Sequence, residues 1–341
     1  MSPGTHSSET PGVSVVICCH NSATRLPATL RHLAAQKTPM DLPWEVVLVD
    51  NGSTDSTVAT ARSSWPTNLA APLRVVNEPQ LGLSHARLRG LREAKYPFIS
   101  LVDDDNWIAP NWLTLMAEIL SAHPEVAACG GDIEAAPEVQ LPRWFDAQQR
   151  NYAVGKQGKG AGYIADTPGY LFGAGLGIRR SAWEKLLANG FTQLAADRTG
   201  AASMGGGDLE LCFALRLAGW KLYYDPRLKL RHFIPRERLR WTYLRRLYRG
   251  TGVVGVSLAP YKIALRETQG APEARTGAFR DGVVQSIARN VSRLLHGDFQ
   301  FLLTLEMLIA RRRERRRRCR EFDQMIERVR NAPWRKTGLT L

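Results

Sequence analysis

From residue 13 onward the chain alternates short apolar runs with amphipathic stretches. Residues 13–18, 45–49, 73–77, 98–102 and 126–130 are runs of five or six positions with the length and composition of buried strands. Between them, residues 24–36, 84–95 and 111–122 place apolar side chains at helical spacing, the last stretch opened by Pro110. Residues 50–57 read as a turn leading into another helix, with Asp55 as its N-cap. Strands alternating with helices predict an α/β domain around a largely parallel sheet.

Polar residues follow the apolar runs at a consistent end: His20 and Asn21, Asp50 and Asn51, Asn77 and Glu78, then Asp103, Asp104 and Asp105. Ligands of open α/β sheets lie beyond the carboxyl ends of the strands, so four such clusters define one candidate rim. Three adjacent carboxylates repel one another, and Mg²⁺ or Mn²⁺ is the type of hard cation that holds such a group together. Strand alternation would send Asp103 and Asp105 one way and Asp104 the other. An acidic turn capping the next helix is the competing reading.

Other residues extend the rim. On helix 84–95, Ala86, Leu88, Gly90, Leu91 and Ala94 form a small or apolar arc, and Arg87 falls inside it. A cation there calls for a carboxylate or a diphosphate, unless it snorkels to solvent or pairs with a core acid. Asp208 stands at the entrance of an apolar helix ending near Ala218 and Gly219. It reads either as an N-cap or as a rigid carboxylate placed to take a proton from an acceptor hydroxyl. His232 follows strands at 221–224 and 228–230, as a structural histidine or a nitrogen ligand. Glycine-rich pieces at 155–162, 173–177 and 200–207 match neither common nucleotide motif and read as loops around a cleft. Trp144, Phe145, Tyr152 and Tyr163 either stack on a substrate or pack under a long loop.

Composition bounds these readings. A chain of 341 residues with 44% hydrophobic content builds one sizeable domain with an appendage. Residues 1–12 are polar, lack the n- and h-regions of a secretory signal, and read as a disordered tail on a cytoplasmic protein. Cys18, Cys19, Cys129, Cys212 and Cys319 show no metal or redox spacing and read as reduced core residues. Half of the net charge of +14 lies between Arg311 and Arg320, eight arginines and one glutamate.

Residues 13–240 form the expected catalytic domain, and 241–341 an Arg-rich helical extension. Within the extension, 241–249 reads as a helix, 250–277 as a looser connection, and 281–295 and 299–330 as two further helices. The apolar stretch 299–310 is shorter than the ~20 residues a bilayer span needs. Followed at once by arginines, it reads as a peripheral helix on anionic lipid at the cytoplasmic membrane face, or as a helix packed on the domain with a solvated end. Nucleic-acid binding is weaker, because the arginines form one block without interleaved aromatics.

The ordered motifs, from Val13-Ser14-Val15-Val16-Ile17 and His20-Asn21 through Asp50-Asn51-Gly52-Ser53-Thr54-Asp55, Gly82-Leu83-Ser84-His85-Ala86-Arg87 and Asp103-Asp104-Asp105 to Gly207-Asp208 and Ala218-Gly219-Trp220, resemble family 2 glycosyltransferases over about residues 13–235. That resemblance implies a GT-A fold, a nucleotide-diphosphate sugar donor, Mn²⁺ or Mg²⁺, and inverting transfer to a saccharide or lipid-linked acceptor in cell-surface polysaccharide or glycolipid synthesis. Carried over, Asp50 and Asn51 would meet the base or ribose, Asp103 the ribose, and Arg87 the diphosphate or sugar. His20, Asn21 and Asp104 would complete the donor-binding set, Asp105 and His232 would hold the metal, and Asp208 would be the base. Gly207 stands where the family usually has Glu or Gln, and Leu88 where it usually has Asn after Ala-Arg. Two alternatives remain: a catalytically impaired module that binds a membrane surface or nucleic acid, and a sugar-nucleotide pyrophosphorylase, whose basic phosphate loop residues 13–21 lack.

Overall fold

The computed structural model describes residues 11–164, 168–195, 205–270 and 299–336. Strand β1 (Val13–Cys19) is the axis of the sheet. It pairs in parallel with β2 (Trp44–Asp50) on one side and β4 (Phe98–Leu101) on the other, and β3 (Leu73–Asn77) adds in parallel outside β2. Alternate residues of these strands enter two cores: Val15, Ile17, Val46 and Leu48 pack on one face, Val16, Val47 and Val49 on the other. Both faces are covered, which is why apolar residues fill most positions of these runs rather than every second one.

On the first face lie α1 (Leu26–Ala34) and α4 (Trp112–Ala122), through Leu26, Leu30, Leu33, Trp112 and Met116. The second carries α3 (Leu83–Glu93), α6 (Arg180–Ala188) and α7 (Gly207–Leu217). Helix α2 (Thr57–Ser64) contributes Ala61 to the first core. Its N-cap position is Ser56, one residue after the expected Asp55, whose carboxylate instead accepts the main-chain N–H of Thr57 (2.9 Å) and of Ala23 (3.1 Å).

Beyond β4 the sheet turns mixed, with order β3-β2-β1-β4-β8-β6-β9-β5 among the described residues. Here β5 is Asn106–Ile108, β6 Val126–Pro137, β8 Leu176–Arg179 and β9 Lys221–Ile234, while β7 (Gly162–Tyr163) pairs with β9 off this path. Strand β8 runs antiparallel to both β4 and β6. The two strands expected at 221–224 and 228–230 are one: β9 continues through a register shift in which Gly130 opposes Tyr224 but Asp132 opposes Lys229. The polar Asp225-Pro226-Arg227 segment loops out there without ending the pairing.

The C-terminal part is more helical than its glycines and prolines suggest. Helix α8 (Trp241–Ser257) runs through the segment expected to be loose, and α9 (Ala259–Thr268) follows, with Pro260 in its first turn, where the missing N–H costs nothing. Gly252 of α8 makes room for a neighbour: a Cβ there would lie 2.2 Å from the carbonyl oxygen of Met307. That neighbour is α10 (Phe299–Arg317), followed after Arg318 by α11 (Cys319–Arg330), so residues 299–330 form two helices. The expected helix at 281–295 and the tail at 1–10 lie outside the described residues. A short helix, α5 (Phe145–Gln148), leads toward Tyr152. No helix among the described residues is long and apolar enough to cross a membrane. All five cysteines are free; Cys19, Cys129 and Cys212 are buried and Cys18 half-buried, whereas Cys319 is exposed and is no core residue.

Candidate active site

A cavity of about 410 Å³ opens at the carboxyl ends of β1 and β4. The acidic triplet forms one wall. Strand β4 stops at Leu101, so strand alternation does not reach the triplet, and Asp103, Asp104 and Asp105 all line the cavity from a turn. Asn106 holds that turn: its N–H donates to the Asp103 carbonyl (3.0 Å) and its side-chain oxygen accepts the Asp103 N–H (3.2 Å).

The carboxylates stay together because arginines reach them. Arg25 Nη2 lies 2.6 Å from Asp104 Oδ2, and Thr29 Oγ1 donates to the Asp104 carbonyl (2.9 Å). Burial, and then the neighbouring charge of Asp105, push the Asp104 pKa above the usual carboxylate range against the opposing pull of Arg25. Asp105 is 3% exposed and accepts from Arg238 Nη1 (2.9 Å) and Asn106 Nδ2 (3.0 Å).

On β9, His232 turns its Nε2 to 3.5 Å from Asp105 Oδ1. Its Nδ1 lies 2.8 Å from the Tyr152 carbonyl, which can only accept, so Nδ1 carries the donated proton and Nε2 faces the carboxylate. A carboxylate oxygen and an imidazole nitrogen side by side on a cavity wall suit Mn²⁺ or Mg²⁺. No cluster of three or more His, Cys, Asp or Glu side chains suited to a metal occurs among the described residues. Two protein donors alone fit a cation that takes its remaining ligands from outside the chain.

Asp208 lines the same cavity from the first turn of α7. It is not the N-cap: that position is Gly206, and Asp208 Oδ2 accepts the N–H of Gly173 (2.8 Å) from the loop before β8. A Cβ at residue 173 would lie 2.6 Å from Asp208 Oδ2, so the loop can approach the carboxylate only as glycine. Arg87 reaches the cavity from α3, in keeping with its place in the apolar arc.

Other expected residues have structural work. Asn51 lines the cavity with its amide committed to backbone: it donates to the carbonyls of Glu78 (3.0 Å) and Gln80 (2.7 Å) and accepts the Gly82 N–H (2.8 Å). His20 also lines the cavity, its Nδ1 donating to the Asn51 carbonyl (2.8 Å). Asn21 and Asp50 do not line it; they build the adjacent turn, accepting the N–H groups of Thr54 (2.8 Å) and Ser53 (3.3 Å). Phe145 and Tyr152 are buried in an aromatic cluster with Trp144, whereas Tyr163 lies exposed on β7 against His123 and Tyr223; none of the four lines the cavity. Of the glycine-rich segments, the cavity takes Gly173 with Ala174, and Gly205; residues 200–204 lie outside the described residues.

Two charged lining residues carry no signal in the sequence. Arg25 looks like any cation in an amphipathic helix until Asp104 is seen beside it. Arg238 sits in a Pro-Arg-Glu-Arg stretch without periodicity, which gave no signal.

The sequence pattern described as "Glycosyl transferase family 2" matches residues 14–187, half of the chain. The chain belongs to glycosyl transferase family 2. It is 26% identical over 244 residues to the succinoglycan biosynthesis protein ExoM of Rhizobium meliloti strain 1021, covering 71% of this chain and 74% of that one. It is 31% identical over 121 residues to the chondroitin synthase of Escherichia coli, 35% of this chain and 17% of that one. Against some curated relatives, then, this family 2 chain spans only about a third (34%) or a sixth (17%) of their length. A mannosyltransferase of Pyrobaculum calidifontis, solved with GDP-Man and Mn²⁺, superposes with a TM-score of 0.55 at 20% identity, covering 88% of this chain and 85% of that one. The fold is that of GT-A glycosyltransferases.

Proposed function

We propose that this family 2 enzyme is a metal-dependent, inverting transferase that moves a sugar from a nucleotide-diphosphate sugar to the hydroxyl of a saccharide or lipid-linked acceptor, in cell-surface polysaccharide or glycolipid synthesis. One observation carries the reading: Asp105 with His232, and Asp208, line a single cavity at the carboxyl edge of the sheet. The Mn²⁺ of the archaeal mannosyltransferase and the polysaccharide role in the name of ExoM support the metal and the product class.

Asp105 and His232 would hold Mn²⁺ or Mg²⁺, which when bound neutralises charge on the diphosphate leaving group. Arg87 directs a further positive charge into the cavity for the same phosphates. Asp103 and His20, which line the cavity, would meet the nucleoside, and Asn51 would shape that end with its amide committed to backbone. Asp208, oriented by the Gly173 N–H, accepts the proton of the attacking hydroxyl on the face opposite the leaving group.

Thermal unfolding with UDP, GDP or dTDP, with and without Mn²⁺, tests the donor half of this reading. One diphosphate should raise the midpoint only when Mn²⁺ is present, and Asp105→Asn should abolish the metal-dependent part. A rise that ignores the metal, or survives in Asp105→Asn, removes Asp105 from that role.

A further inference from the structure

Helix α10 has two unlike sides. Phe301, Leu303, Leu308 and Glu314 are buried, and α8 closes against the helix at Gly252 and Gly255. On the other side Phe299, Leu302 and Ile309 are 69%, 47% and 42% exposed, and Arg312, Arg313 and Arg316 are exposed one to two turns farther on. At 100° per residue, Leu302, Ile309, Arg312, Arg313 and Arg316 fall within one sector of about 100°. The exposed side thus runs from aliphatic to arginine along the helix.

Its flanks reinforce the charge. Arg245 and Arg249 of α8 both bond Glu306, leaving a net positive trio beside Ile309 and Arg313. Arg317 and Arg318 are spent on Glu314, so the outward-facing arginines are the ones that define the surface.

We propose that this face of α10 docks the protein on an anionic lipid bilayer, with Leu302 and Ile309 entering the interface and Arg312, Arg313 and Arg316 meeting headgroup phosphates. A second copy of the chain would set arginine against arginine, and single-stranded nucleic acid would find aliphatic side chains instead of stacking rings beside the cations. The proposal rests on this surface alone and is independent of the donor chemistry assigned to the cavity.

Flotation of the full chain tests it, using phosphatidylcholine vesicles with and without about 30 mol% phosphatidylglycerol. The protein should float only with the anionic vesicles and be released as salt rises from ~0.1 M to ~0.5 M. Each arginine removed weakens partitioning about fivefold, so Arg312→Gln/Arg313→Gln/Arg316→Gln should weaken it roughly 100-fold. Leu302→Ser/Ile309→Ser should weaken it at least about tenfold, with unchanged circular dichroism. Failure of the wild type to float, flotation indifferent to salt or to both variants, tighter binding to single-stranded RNA than to vesicles, or a dimer dispersed by the serine variant would overturn the proposal.

Discussion

Asp104 and Asp105 face Arg25 and Arg238, and this pairing explains how two adjacent carboxylates share one turn. The same scale explains how the proposed base is aimed. Gly173→Ala must displace the Asp208 carboxylate, because its Cβ would lie 2.6 Å from Oδ2 and 3.0 Å from Cγ. A shift of that kind should lower kcat about 10- to 100-fold and leave the Kd for the nucleoside diphosphate unchanged. Steady-state kinetics paired with calorimetric titration check both halves.

Glu45 gives a pH-dependent counterpart away from the cavity. Burial pushes its pKa up, but hydrogen bonds from Arg74 (2.9 Å), Ser14 (2.8 Å) and the Lys95 N–H (3.0 Å) outweigh that and bring it below the ordinary value. A carboxylate whose folded pKa is depressed stabilises fully above its unfolded pKa of about 4.3 and loses that contribution as pH falls through the folded value. Glu45→Gln should lower stability by about 1–3 kcal/mol at neutral pH and flatten the decline below pH ~4 in urea titrations. At this scale the charge clusters were legible in the sequence. Their partners were not: Arg238 lies 133 positions from Asp105, and no local pattern announces such a contact.

Among elements, α7 is fastened by the buried Glu210. Its carboxylate accepts the N–H groups of Leu194 (2.6 Å) and Ala195 (2.8 Å) and the hydroxyl of Tyr261 (2.6 Å) on α9, whose ring stacks on Trp334. Tyr261→Phe removes one bond to a buried charge and should cost about 1.5–3 kcal/mol in chemical denaturation. The strands around β1 could be read because most bury a largely apolar run, and the helices because their apolar residues recur at helical spacing. Helices α8 and α9 were misread where glycine and proline usually mean loops: Gly252 serves a close helix contact, and Pro260 opens a helix. Strand β9 was split because a polar bulge interrupts its apolar pattern.

The molecule as a whole does not separate at residue 240. Leu244 and Leu247 of α8 join the core that takes Val15 and Ile17 of β1, while Val254, Leu258, Tyr261, Val329 and Trp334 join the opposite core with α7. A chain ending at Arg240 would expose these side chains, and it should show no cooperative unfolding transition in calorimetry, in contrast to the full chain. The parallel half of the sheet was visible in the α/β alternation. The mixed half was not, since the four-residue β8 carries too few positions to declare its two antiparallel partners.

Asp208 is where residue, element and whole molecule meet: its loop aims it, Glu210 steadies its helix, and the C-terminal helices hold that helix in the core. The most direct measurement is release of nucleoside diphosphate from the accepted donor in the presence of Mn²⁺, comparing wild type with Asp208→Asn. The account predicts a fall in kcat of about 10²- to 10⁴-fold with donor binding retained. Turnover by the asparagine variant at the wild-type rate would contradict it.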